Sequence, residues 1–323
     1  MKHRAARRHQ ARLLLPKLAQ PEGLALTADR VSLDRDQAHH LFRVLRLQVG
    51  EQLELLDGSG HCYKTNIVSL SKDHAALHIE AHCFVPPSAL QIQLIQGLSA
   101  ADHMDFSLQK GVELGLNAFL PVNCERSVSR IDNTRAENKV RHWQMVAQAA
   151  CMQSANPWLP IIHQPQDLAS ALHGTISAAE KKANDFAPAN FRWMLDPYAN
   201  QSLIDVLSSK LEDNLQHTQQ SQILQASRTL PSCQSPPKGG SGLPHDAAQN
   251  CHNQRPKRLL TLLVGPEAGL SDNEVLAAKQ AGFDAIHLGP RTLRTETAAM
   301  AAIAAIQAAW GDWAKPASPR WTS

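Results

Sequence analysis

Apolar and polar positions alternate through residues 51–70, "EQLELLDGSGHCYKTNIVSL". Two strand-like runs there flank Asp57-Gly58-Ser59-Gly60, a tight-turn signal that predicts a hairpin, and "AALHIEAH" from Ala75 supplies a third strand. Before them, "DQAHHLFRVLRLQVG" reads as a short helix ending near Gly50. "VPPS" (Val85–Ser88) marks a linker, after which the rhythm becomes strand, helix, strand, helix. "LQIQLIQGL" is a strand ending at Gly97, and "ADHMDFSLQKGVELG" a helix with Asp102 as N-cap and Gly115 as its stop. Met104, Leu108 and Val112 share one face of that helix. "AFLPV" is a buried strand, "ENKVRHWQMVAQAACMQS" a helix with Val140, Trp143, Ala147, Ala150 and Cys151 inward, and "FRWMLDP" another strand. Further on, "RLLTLLVGP" and "DAIHLGP" read as buried strands. Between them Ser271 and Glu274 form a capping box for a helix that stops at Gly282. An Ala-rich helix from Thr297 to Trp310 follows, with Met300, Ile303, Ile306 and Trp310 as its larger contacts. The fold class is therefore α/β, a mostly parallel sheet with helices on both faces behind a small β-rich unit.

Composition refines this picture at two places. Residues 208–258 are rich in Gln, Ser, Pro and Asn and have too little apolar surface for a core, so they read as a flexible insertion. The predicted domains are 1–86 and 87–323, the second carrying that insertion. Charge is uneven as well. The first 46 residues hold ten Lys/Arg against four Asp/Glu, a surplus of six, in a chain whose net charge is +3. Such a region suits contact with a polyanion, and a solvated tail explains it equally well. The opening "MKHRAARRHQAR" shares its Arg-rich, acid-free make-up with organellar transit peptides, but a short "LLLP" follows it rather than a signal-peptide core. The expectation is a cytoplasmic protein with reduced thiols, since the six cysteines form no CxxC pair. No run of eighteen uncharged apolar residues predicts a membrane span, and the sixteen histidines lack metal-ligand spacing, so neither a membrane nor a metal is expected.

Candidate chemistry gathers at strand ends. In an open parallel sheet, ligands bind beyond the carboxyl ends of the strands. Three such ends carry "LDPYA" after Leu195, "GPEAGLS" from Gly265 and "GPRTLRTET" from Gly289. Glycine lets backbone amides approach a ligand and proline holds a loop in one shape. One Gly-Pro loop alone is most simply a turn, whereas two on consecutive strands, twenty-four residues apart, point to a binding site. No GxGxxG follows the first strand of this unit, and no GxxxxGK[ST] or GxSxG occurs, which argues against a dinucleotide-binding fold, a P-loop NTPase and an α/β-hydrolase.

"LLVGPEAGLSDNEV" and "HLGPRTLRTETAAMAAIAAIQAAWGD" resemble the signature of the ribosomal small-subunit RNA methyltransferase E family. Upstream, "HHLFRVLRLQVGEQLELLDGSG" is similar to that family's PUA-like RNA-binding β-barrel. "LSAADHMDFSLQKGVELGLNAFLPVNCERSVSR" and "WQMVAQAACMQSANPWLP" resemble its first α/β unit and next helix. The resemblance implies a SPOUT-class α/β domain tied in a deep trefoil knot, a homodimer, and S-adenosyl-L-methionine (SAM) as cofactor. It also implies N3 methylation of a decoding-site uridine in 16S rRNA of the small ribosomal subunit. The alternatives are a SPOUT enzyme acting on another rRNA or tRNA site and a non-catalytic RNA-binding or ribosome-assembly factor.

Carried over by position, the cofactor loops are Gly265, Pro266, Glu267, Ala268 and Gly269, and Leu288, Gly289, Pro290, Arg291, Leu293 and Thr295, with Leu195 and Pro197 as a third wall. Arg294 is the first candidate to stabilise charge on the uracil oxygens and Arg126, in "CERSVSR", the second. Glu296 is either the base or a charge that complements a helix N-terminus. Gln109, Lys110 and Glu113 either face the site or form a Lys–Glu surface pair. Arg43, Arg46 and Arg12 are assigned to RNA phosphates. Two departures stand out. Ala268 occupies a position usually held by Gly in the family, where the added methyl would weaken binding if positive φ or close approach is needed. The polar insertion is the other, placed where extra loop length costs little.

Overall fold

The computed structural model describes residues 11–16, 30–173, 189–209 and 258–313, so most of the 208–258 insertion lies outside the described residues. The N-terminal unit contains β1 (Arg12–Leu14), β2 (Arg30–Leu33), α1 (Arg35–His39), β3 (Gln52–Leu56), β4 (His61–Leu70) and β5 (Ala75–Phe84). Its sheet runs β1-β3-β4-β5-β2, parallel only between β1 and β3. Register shifts at Lys64/Thr65 and Ile67/Ser69 mark bulges in the long β4–β5 hairpin, the device that lets a sheet curl around its own core. That core holds Leu13, Val31, Leu33, Leu53, Leu55, Ile67 and Leu77. The helix expected to run to Gly50 stops earlier. α1, opened by an Asp34–Gln37 capping box, passes into a π-helical turn at His40–Val44, and Arg46 then adopts φ 52°. The wider turn puts Leu41 fully inside while Phe42 and Val44 stay exposed.

The second unit comprises β6 (Leu90–Gly97), α2 (Ala101–Glu113), β7 (Ala118–Asn123), α3 (Asn133–Ser154), β8 (Ile161–Ile162), β9 (Gln166–Asp167), β10 (Ala189–Leu195), β11 (Gln201–Ser202), β12 (Arg258–Val264), α4 (Asp272–Gln280), β13 (Asp284–His287) and α5 (Thr295–Trp310). All its strand pairs are parallel, in the order β11-β13-β10-β12-β6-β7-β8, with β9 also pairing β7. Alternate residues of the central strands point to opposite faces. Ile92 and Leu94 pack with Met104, Leu108 and Val112 of α2, Trp143 of α3, and Ile303 and Ile306 of α5. Ile95, Met194 and Leu263 pack on the other face with Ala278 of α4, Phe283 and Leu168. Helices thus cover both faces, as the alternation predicts.

Local sequence signals set most boundaries. Ser271 and Glu274 form the expected capping box of α4. The inward stripe of α3 is buried as its spacing predicts. Two boundaries differ. α5 begins at Thr295, two residues earlier than the Ala-rich pattern suggests. The N-cap of α2 is Ala100 rather than Asp102, and Ala100 has no side chain with which to cap. Its N–H instead donates to Glu267 Oε1 at 3.0 Å, from a loop 167 positions away, so a tertiary contact replaces the local one.

The two units meet at the 156–160 segment. Leu159 N–H donates to the Gly58 carbonyl and Gly60 N–H to that of Pro157, while Trp158 donates its indole N–H to Val85 O. A Cβ at residue 60 would lie 2.5 Å from the Trp158 ring, which restricts that position to glycine. Arg12 reinforces the seam, reaching the buried Glu54 at 2.7 Å and the Met152 carbonyl at 3.3 Å.

Candidate active site at the carboxyl edge of the parallel sheet

The ends of β6 and β12 touch. A Cβ at Gly97 would sit 2.6 Å from the Pro266 nitrogen, so the first Gly-Pro loop leans directly on the neighbouring strand end. Pro266 to Gly269 form a tight turn in which Gly269 N–H donates to Pro266 O at 2.8 Å. Gly269 takes φ +72° and Gly289, in the twin loop, φ +100°; an added Cβ at either would meet nothing within 4 Å. Ala268 lies exposed in the turn, and the non-glycine residues with positive φ among those described are Arg46 and Ala155. The left-handed conformation thus falls on Gly269, one position after the alanine.

Three side chains fasten this turn. Thr295 Oγ1, at the first position of α5, donates to Gly265 O at 2.6 Å and accepts from Gln96 Nε2 at 2.9 Å. Arg126, exposed on the segment after β7, donates to the carbonyls of Leu270 at 3.0 Å and Ala268 at 3.5 Å. Glu267 accepts from Ala100 N and lies 3.2 Å from His103 Nδ1. Burial raises the Glu267 pKa, but the Ala100 N–H, its own N–H and His103 together outweigh that and hold it below the ordinary carboxylate range.

Glu296 approaches the same histidine from α5, with Oε2 3.7 Å from His103 Nδ1. It lies in the first turn of α5, is only 8% exposed, and its Oε2 is buried with no hydrogen-bond partner. Arg294, just before it, is exposed at the N-cap position and makes no side-chain capping bond. The second Gly-Pro loop opens on a cavity of about 420 Å³ lined by Leu288, Gly289, Arg291, Leu293 and Thr297 together with Ser202–Ile204, His287, Ala301 and Ala305. Pro290 is exposed beside it.

The predicted residues therefore divide into groups. Gly265 to Gly269, Thr295, Glu296 and Arg126 come together around the first loop, and Leu288 to Leu293 around the cavity. Leu195 ends β10 beside Ile286, and Pro197 is exposed in the turn beyond it; neither lines the cavity. Lys110 bonds Glu113 at 2.8 Å, the surface-pair alternative. Arg43 and Arg46 are exposed on the N-terminal unit, Arg43 lying 5.8 Å over the Phe42 ring, while the guanidinium of Arg12 is committed inward to Glu54. Sequence reasoning passed over His103 and Gln96. Gln96 left a trace: it is the polar residue in β6 that falls in register with the apolar Leu90, Ile92 and Leu94 rather than with Gln91 and Gln93. His103 left none, because its partners come from distant segments, the loop at Glu267 and the first turn of α5. Among the described residues, no group of three His, Cys, Asp or Glu side chains is placed to hold a metal ion, and no helix is long and apolar enough to cross a membrane.

The two modules both match domains of RNA-modifying enzymes. Residues 86–224 and 232–307 match the RNA methyltransferase domain, and residues 33–80 match the RNA methyltransferase PUA domain. The chain belongs to the ribosomal RNA small-subunit methyltransferase E family. A relative with that name from Bacillus subtilis is 26% identical over 274 residues, covering 84% of this chain and 88% of the relative. A crystal structure of the Neisseria gonorrhoeae ribosomal RNA small subunit methyltransferase E, bound to S-adenosyl methionine, is 30% identical and superposes with a TM-score of 0.67 over 94% of this chain and 100% of that one. A putative methyltransferase from Legionella pneumophila, solved with bound SAM, is 26% identical with a TM-score of 0.67, covering 94% of this chain and 99% of that one.

Proposed function

We propose that this chain transfers a methyl group from SAM to N3 of a decoding-site uridine in 16S rRNA of the small ribosomal subunit. The observation that carries the reading is the pair of Gly-Pro loops, one fastened by Thr295, Arg126 and Glu267 and the other opening on a cavity, at the sheet edge where ligands of parallel sheets bind. The residues suit the cofactor. Gly269 and Gly289 have open space where a side chain would stand, so backbone amides there can approach a nucleoside closely. The cavity volume suits a molecule of that size. Leu195 and Pro197 are proposed as the third wall. When bound, the cofactor supplies an activated methyl on a sulfonium.

The protein's own tasks are to orient the uracil, accept the N3 proton and stabilise the charge that spreads to O2 and O4. Arg294 suits the last task, because its guanidinium is exposed beside the loop and uncommitted to helix capping. Glu296 suits the proton, because its buried Oε2 lacks a hydrogen-bond donor and so has a lone pair available. Arg126 is placed to hold the loop through two carbonyls rather than to meet the uracil. Arg43 and Arg46 are proposed to contact RNA phosphates. The chain is further proposed to be cytoplasmic, homodimeric and knotted. Supporting the knot, the chain crosses β10 between β12 and β13 and then returns to pack α5 against α2 and β6.

The test is methyl transfer from labelled SAM to small subunits lacking the modification, with the modified nucleotide mapped. No transfer by folded protein overturns the enzyme reading, and a label on another nucleotide overturns the site. Arg294→Ala and Glu296→Gln should each lower turnover by about 10²-fold or more while SAM affinity stays within about twofold. If Glu296→Gln instead lowers stability and leaves turnover intact, Glu296 serves the helix terminus alone.

A further inference from the structure

We propose that Gln96 is a positioning residue for cofactor binding, clipping the two Gly-Pro loops into register through the Thr295 hydroxyl. The inference rests on the cofactor reading above. Gln96 is fully buried at the carboxyl end of β6, the strand beside β12, and lies in neither loop. Its Nε2 donates to Thr295 Oγ1 at 2.9 Å and to Gly97 O at 3.3 Å. Thr295 Oγ1 then donates to Gly265 O at 2.6 Å.

The direction of these bonds matters. A hydroxyl can donate only one hydrogen, and it is free to rotate. With an N–H of Gln96 occupying one lone pair of Oγ1, the threonine hydrogen is turned toward Gly265 O. Consecutive hydrogen bonds polarise and strengthen each other. The carbonyl that is held belongs to the residue opening the first loop, and the hydroxyl to the residue closing the second. One amide thus ties together three chain segments, and does so in a buried setting where an unpaired polar group is costly. Gln96 Oε1 is itself buried without a hydrogen-bond partner, an arrangement poor for stability alone. The stability optimum at this position would be an apolar residue of similar size. What the glutamine adds is orientation.

The experiment compares wild type, Gln96→Leu, Gln96→Glu, Thr295→Val and the double variant Gln96→Leu/Thr295→Val by titration calorimetry with SAM, steady-state kinetics and amide hydrogen exchange. Gln96→Leu should weaken SAM binding about tenfold and raise the KM for SAM to match, leave the KM for RNA unchanged, and preserve or raise Tm. Gln96→Glu should be worse, because a carboxylate takes the threonine hydrogen away from Gly265 O. The double variant should be no weaker than the worse single variant, since both cut one chain of bonds. Amide exchange over 265–270 and 288–295 in the cofactor-free protein should quicken in Gln96→Leu. Unchanged SAM affinity in Gln96→Leu, or effects that add independently, overturn the proposal. If the wild type binds no SAM, the cofactor reading fails by itself, and exchange then decides: equal rates in wild type and Gln96→Leu overturn the clip, and faster exchange in the variant upholds it.

Discussion

Arg126 and Glu267 both secure the first Gly-Pro turn, Arg126 by donating to its carbonyls and Glu267, within the turn, by accepting from Ala100 N. Ala268 is exposed and lacks the left-handed φ that falls on Gly269. Ala268→Gly should therefore change SAM affinity by less than about twofold, whereas Gly269→Ala, forced to φ +72°, should cost about 1 kcal/mol in unfolding free energy. Calorimetry and urea unfolding check the two; a large affinity gain in Ala268→Gly contradicts the first. Glu267 carries a pH signature. Its folded pKa is depressed, so its contribution is present above the unfolded value, about 4.3, and is lost as pH falls through the lower folded one. Between about pH 5 and pH 3, wild type should lose more Tm than Glu267→Gln. Equal losses would show that the carboxylate is not held by these bonds. The legibility of these residues follows from chemistry. Gly265, Pro266 and Gly269 announce a turn by type alone, while His103 acquires meaning only once Glu267 and Glu296 converge on it.

α4 shows how one side chain can serve two elements. Glu274 accepts from Ser271 N at 2.8 Å as part of the capping box and from Glu125 N, in the segment after β7, also at 2.8 Å. Each carboxylate oxygen is occupied, and the residue is only 8% exposed. Its charge, with burial as the larger cause, pushes the Cys124 thiol up to about 12. In Glu274→Gln one oxygen becomes an NH₂ facing an N–H donor, so a loss of about 2 kcal/mol is expected in urea unfolding. A loss below about 0.5 kcal/mol would mean that the bond to Glu125 carries nothing. Elements of this kind were readable where the signal was local: the Ser271 box, the stripe of α3 and the hairpin at 57–60. The C-terminal end of α1 and the N-terminal end of α2 were not. The first is set by a π-helical turn that buries Leu41, the second by a carboxylate from far along the chain.

At the scale of the molecule, alternating strand and helix signals gave the parallel sheet and its two covered faces, because each strand had to bury both sides. Strand order was beyond reach. That β13 lies outside β10 while β12 pairs β6 depends on crossings that leave no mark on local composition. Beyond Thr297 and Ala301, which line the cavity, α5 presents Ala308 outward, a small side chain that allows close approach of another helix. Light scattering should give twice 35.4 kDa for the proposed homodimer, and a mass of 35.4 kDa overturns it. The bond between Gln96 and Thr295 spans 199 positions. Contacts so distant in sequence form late, because the entropy of closing so long a loop must be overcome before they contribute. During synthesis the β-rich unit and the first α/β units can fold while the tail is still being made. The proposed site is then the last part of the molecule to exist: a chain interrupted before Thr295 would lack both the hydroxyl that fastens the first loop and the helix whose Ile303, Ile306 and Trp310 cover one face of the sheet.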